Sequence, residues 1–166
     1  AVVTGLAGSL GEPFRSFPLH LMRYGAGGVG GWGSLCGTVN GAAAVVGLLE
    51  PDKERRTKIV GELFSWYEST ALPTYAPKKP GNSASFAKSV SHSVLCHVSV
   101  HRRCEAADSE VESDLMHERC RRLTAGVAAR TVDLLNRKLQ GRLHVTGLAP
   151  AVKSCMSCHG KEDRAD

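Results

Sequence analysis

The sequence predicts a mainly α fold, and three observations predict it. Apolar residues recur at three- and four-residue spacing through several long segments. Helix-capping residues, prolines and glycines stand at the ends of those segments. No stretch gives the uninterrupted apolar alternation of a convincing strand. At 166 residues the chain is one domain's worth of sequence.

Ala1 to Leu10 reads as the tail of a helix, broken by Gly11-Glu12-Pro13. Pro18 to Tyr24 is a short apolar turn or helix, and Gly25 to Gly33 a glycine-rich loop. Ser34 is expected to cap a helix that ends near Leu49, before Pro51. Gly37, Gly41 and Ala44 give that helix a small-residue face that admits a close neighbour. Pro51 to Thr70 reads as an amphipathic helix, with Val60, Leu63 and Tyr67 on one face and Ile59 and Phe64 beside it. Pro73, Pro77, Pro80 and Gly81 mark a long irregular connection to about Ser89. Ser91 to Arg103 is the segment densest in Cys and His. Ser109 with Glu112 predicts a capping box for a long helix. Its apolar stripe is Met116, Cys120, Leu123, Val127 and Leu134, and Gly141 stands where a C-terminal cap belongs.

Composition narrows the function classes. Aromatic residues are only 5% of a chain that is 42% hydrophobic, so a flat apolar cofactor would fill volume that Phe and Trp usually fill. The net charge is +5, but Lys and Arg are scattered and not interleaved with aromatics, which argues against nucleic-acid binding. No apolar run approaches the ~20 residues of a membrane span. No signal peptide is visible. Because the chain begins at Ala1 without Met, the numbering is expected to start after processing or after a disordered stretch.

Gly25-Ala26-Gly27-Gly28-Val29-Gly30 matches G-x-G-x-x-G, with Glu50 about 20 residues on, as in a dinucleotide-binding turn. The context argues against it, since no strand precedes the run and its surroundings are helical. The glycines read instead as letting the backbone pass tightly beside a cofactor or the partner chain, and as delivering Cys36 to the start of a small-residue helix.

Six Cys and seven His are the strongest compositional signal. Cys155-Met156-Ser157-Cys158-His159 is C-x-x-C-H, the haem c attachment pattern. Its two thiols project from one turn, where each can form a thioether with a haem vinyl group, and His159 can then ligate iron. A thioredoxin-type site would need a βαβ context and a zinc site a second nearby pair. The chain thus divides into a helical part, 1–146, and a haem c-binding segment, 147–166, of the same compact domain. One such motif predicts one covalent haem per chain, in a compartment outside the bacterial cytoplasm, normally the periplasm.

Four further cysteines, Cys36, Cys96, Cys104 and Cys120, match the thiolate number of a [2Fe–2S] cluster, though their spacing fits no standard ferredoxin. Buried free thiols and two disulfides are the other readings. His97 could be a metal ligand, a haem axial ligand or part of a solvated face. His101 and His117 are expected to face solvent.

The blocks GEPFRSFPLHLMRYGAGGVGGWGSLCGTVNGAAA, LCHVSVHRRC, ERCRRLTAGVAARTVDLLN and CMSCHG together resemble the split-Soret cytochrome c family. It lies within a wider group of redox proteins marked by CGAxxG. Here that motif is Cys36-Gly37-Thr38-Val39-Asn40-Gly41, with Thr for Ala. The resemblance implies a helical protein that dimerises through a haem-bearing end. It implies bis-His haems in close contact, with one axial ligand from the partner subunit, and an iron–sulfur centre held by Cys. On that basis Cys36, Cys96, Cys104 and Cys120 are the expected cluster ligands. His97 is the first choice for an axial ligand donated to the partner, ahead of His20 and His144. Two haems per chain are typical of that family, whereas this sequence holds one C-x-x-C-H, and the wider group has a Cys upstream of the segment matching Ala1.

The expected function is that of a periplasmic c-type cytochrome carrying electrons through haem and an iron–sulfur centre, in a homodimer or hetero-oligomer with redox partner proteins. A reductase subunit and a non-redox zinc or disulfide interaction subunit are the alternatives.

Overall fold

A computed structural model describes residues 1–78, 86–111 and 113–145. Its elements are α1 (Val2–Leu10), a 3-10 turn (Leu19–Gly25), α2 (Gly37–Leu49), α3 (Lys53–Ser69), α4 (Cys96–Ala107) and α5 (Asp114–Leu139). The described residues form no strand, only two isolated antiparallel bridges, Leu35 with Leu95 and Leu72 with Ser89. The predicted helical class therefore holds.

Helices α2, α3 and α5 pack against one another in all three pairings, and the 3-10 turn lies on α2. The buried positions follow helical spacing. They are Val39, Ala42 and Val46 on α2, Ile59, Leu63 and Tyr67 on α3, and Leu123, Val127 and Leu134 on α5. Ile59 rather than Val60 completes the inner row of α3, because 59, 63 and 67 are four apart and stack along one face. Cys120 lies on the expected stripe but is only half-buried.

Two expected caps are corrected. Ser34 does not cap α2, since its Oγ donates 2.7 Å to the Gly28 carbonyl and Cys36 is the N-cap. Ser109 does not open α5. Ser113 does, its Oγ accepting from the Met116 amide at 3.2 Å, while Ser109 takes a hydrogen bond from the buried Arg103. Glu112 and the segments 79–85 and 146–166 lie outside the described residues.

The far end of α2 is fixed by a buried carboxylate. Glu50 accepts from the Asp52 amide at 3.0 Å and pairs with Lys138 at 2.7 Å and Arg55 at 3.3 Å. This joins the α2–α3 corner to the last turn of α5. Gly126 on α5 has a related role, because a Cβ there would stand 2.8 Å from Thr74 Oγ1. Its absence lets the chain leaving α3 cross α5 closely.

Candidate metal centre

The site begins with the glycine run. Gly27, Gly28, Gly30, Gly31 and Gly33 all have φ between 60° and 85°, in the left-handed region that favours glycine. Backbone bonds from Gly31 to Ala26, Gly33 to Gly27 and Ser34 to Gly28 tighten the loop into a compact coil. Two of these glycines also face a neighbour. A Cβ on Gly28 would lie 2.6 Å from Cys96 Cβ, and one on Gly33 would lie 2.8 Å from His97 Cβ. The loop is thus a close-packing surface for the start of α4 of the same chain.

Immediately after the loop the chain pairs with the residues before α4. The Cys36 amide donates 2.9 Å to Val94 O, and the Cys96 amide donates 2.7 Å to Ser34 O. Both helices therefore start at one point, with Cys36 as the cap of α2 and Cys96 as the first residue of α4. Gly37 makes this possible, since a Cβ there would fall 2.3 Å from Gly25 O. Gly41, one turn on, faces Met22, and Asn40 donates 2.7 Å to Tyr24 Oη. The small residues of the Cys36–Gly41 motif thus seat α2 on the 3-10 turn.

Cys36 and Cys96 are hydrogen-bonded to each other, and Cys120 of α5 stands near enough to act on Cys96. All three line one cavity of about 650 Å³, whose walls include Val3, Met22, Ala42 and Val127. The Cys36 thiol drops well below its ordinary value. The bond from Cys96 is the largest cause, Tyr67 and Thr38 add to it, and burial opposes it. Cys96 is pushed up, first by that same bond, then by burial and by the charges of Cys36 and Cys120, with Arg119 alone pulling the other way. The pair thus splits in opposite directions, with Cys36, at two helix N-termini where a thiolate is favoured, as the more acidic thiol.

Behind the sulfurs lies a buried polar chain. Tyr67 Oη donates 2.9 Å to Ser99 Oγ, and Arg119 Nη2 donates 2.9 Å to the same oxygen. Burial, then the charge and hydrogen bond of Cys36, push the Tyr67 hydroxyl upward. Sequence reading missed Arg119, Ser99, Tyr67 and Thr38. A signal existed for Arg119, a charged residue in register with Met116 and Leu123 on the inward stripe.

The structure does not bring Cys104 to this cavity. It lies eight residues along α4 from Cys96, about 12 Å of helix rise away. All four described cysteines are free, and among the described residues no three His, Cys, Asp or Glu side chains form a group able to hold a metal ion. His97 is exposed at the start of α4, its ring stacked parallel to His101 at 6.4 Å between centroids. His101 and His117 are exposed as expected, as are His20 and His144. Cys155, Cys158 and His159 lie outside the described residues.

Residues 1–134 match the family model described as "Putative redox-active protein (C_GCAxxG_C_C)". The chain is 37% identical over 166 residues to split-Soret cytochrome c of Desulfovibrio desulfuricans, covering 95% of this chain. It spans 58% of that relative's length. It also superposes with a TM-score of 0.84 and 34% identity on a solved structure of the split-Soret cytochrome c from that organism, described as containing a novel iron centre. That match covers 97% of this chain and 69% of the other.

Proposed function

The chain belongs to the redox-active C_GCAxxG_C_C family, and from that premise we propose that it transfers electrons through protein-bound iron. One observation carries the proposal: Cys36, Cys96 and Cys120 converge on a single largely apolar cavity at the joined N-termini of α2 and α4. Thiolates are the ligands that iron–sulfur centres use. The three sulfurs surround open space and do not close on one point, which suits a cluster bringing its own irons and sulfides better than a lone ion. Homology to split-Soret cytochrome c supports the same reading.

In this reading Cys36, Cys96 and Cys120 would supply three of the four ligands of a [2Fe–2S] cluster, and Cys104 would stay outside the ligand set. Cys155 and Cys158 anchor one haem c, with His159 as its proximal ligand. When bound, the two groups supply one-electron redox chemistry. The chain's own residues prepare the thiol site. The bond with Cys96, with Tyr67 and Thr38 behind it, lowers the Cys36 thiol, and Val3, Ala42 and Val127 give the cavity apolar walls. His97, exposed at the start of α4, would be this chain's ligand to a second copy's haem in a dimer. Haem attachment and the resemblance favour a periplasmic location. Among the described residues no helix is long and apolar enough to cross a membrane.

The test is the visible spectrum and metal content of the purified protein. A Soret band, with iron in excess of haem, supports the proposal. Zinc without iron would instead favour a non-redox interaction subunit. The roomy cavity beside the sulfurs favours a second reading, a reductase subunit. Carbon monoxide binding to the reduced haem would support that reading, because a bis-His haem resists it.

A further inference from the structure

We propose that Arg119 is a positioning residue of the thiol site, a buried cation whose charge raises the reduction potential of the iron bound there. This rests on the reading in which Cys36, Cys96 and Cys120 hold iron. Three observations support it. Arg119 is 1% exposed, and burying a guanidinium carries a desolvation cost that nearby negative charge offsets. Among the described residues it forms no ion pair with a carboxylate, and its Nε has no hydrogen-bond partner. It precedes Cys120 on α5, and its head is held on Ser99, whose hydroxyl also takes the Tyr67 bond behind Cys36.

Two other buried arginines differ from it in direction. Arg103, likewise without a carboxylate partner among the described residues, stands one turn along α4 from Ser99 and directs its head to Ser109, toward the far end of that helix, and Arg122 pairs with Glu118 at 2.9 Å. Arg119 is therefore the cation turned to the sulfurs. Reduction adds one electron and one negative charge to the centre. A fixed positive charge nearby in a low-dielectric site stabilises the reduced form more than the oxidised form, so the potential rises.

The test compares wild type, R119Q, R119K and C36S as full chains isolated with their iron. Iron per chain is measured first. The non-haem centre is then titrated with dithionite and followed by its EPR signal. The proposal expects R119Q to keep its iron and to shift the midpoint to more negative potential. R119K should stay nearer the wild-type value, and the haem midpoint should not move. An unchanged midpoint in R119Q would overturn the proposal. So would an equal shift, or an equal loss of iron, in R119Q and R119K, which would mark a role in packing alone. C36S separates the two claims. If C36S keeps all its non-haem iron, the site reading fails and takes this proposal with it. If C36S loses that iron while the R119Q midpoint stays put, only the role of Arg119 falls.

Discussion

Helix α2 buries an acidic side chain at each end, and the two ends treat it differently. At the C-terminal end Glu50 is completely buried and satisfied by Lys138, Arg55 and the Asp52 amide, which together hold its carboxyl down at about 2. Nothing there is left to react, and the cluster ties three helices together. At the N-terminal end Cys36 is also buried and its thiol is also lowered, but its main partner is another thiol. A third thiol and an open cavity adjoin the pair, and the buried cation behind them has no carboxylate partner among the described residues. Closed charge balance marks a structural joint. Unfinished charge balance beside open space marks a place for a ligand.

The most damaging way to break the contrast is Gly37→Ala. Its Cβ would meet the Gly25 carbonyl backbone at 2.3 Å, so α2 or the loop must move. We expect a loss of about 1–3 kcal/mol in denaturant titration, together with loss of bound iron. Glu50→Gln should act oppositely, lowering stability without touching iron content. The folded carboxyl lies at about 2 against an ordinary 4.5. Its contribution is therefore complete above pH 4.5 and is lost as pH falls toward 2. Thermal melts from pH 6 downward should show that acid loss in wild type and a flatter profile in E50Q.

Smaller effects sharpen the same comparison. Gly126→Ala places a methyl 2.8 Å from Thr74 Oγ1, a short side chain that can turn. The expected cost is about 1 kcal/mol by chemical denaturation, with an unchanged optical spectrum. Thr38→Ala acts at the Cys36 end of α2. It removes the Thr38–Thr124 hydroxyl contact at 3.1 Å and one hydrogen bond to Cys36. Stability should fall by under about 1 kcal/mol. In the iron-free protein the Cys36 thiol should rise, seen as an upward shift of the pH midpoint of its alkylation.

What the sequence revealed depended on how local each feature is. The rows on α3 and α5 were legible because periodicity is local, and Cys155-Met156-Ser157-Cys158-His159 was legible because its chemistry lies within one turn. Caps were harder. Several short polar residues precede each helix, and the choice of Cys36 over Ser34 goes with a hydrogen bond from the Cys36 amide to the Val94 carbonyl, far away in sequence. The thiol trio is tertiary for the same reason, drawn from the starts of two helices and the face of a third. Counting cysteines gave four candidates, but only the fold separates Cys104, eight residues along α4, from the other three. Arg119 stood on an apolar stripe, and its charge there was the readable sign of a buried polar layer.

The central claim is that Cys36, Cys96 and Cys120 hold iron and Cys104 does not. Counting non-haem iron and acid-labile sulfide per chain in the four single Cys→Ser variants tests it most directly. The account predicts that C36S, C96S and C120S lose both while C104S keeps them. Retention of both in C36S, or their loss in C104S alone, would contradict it.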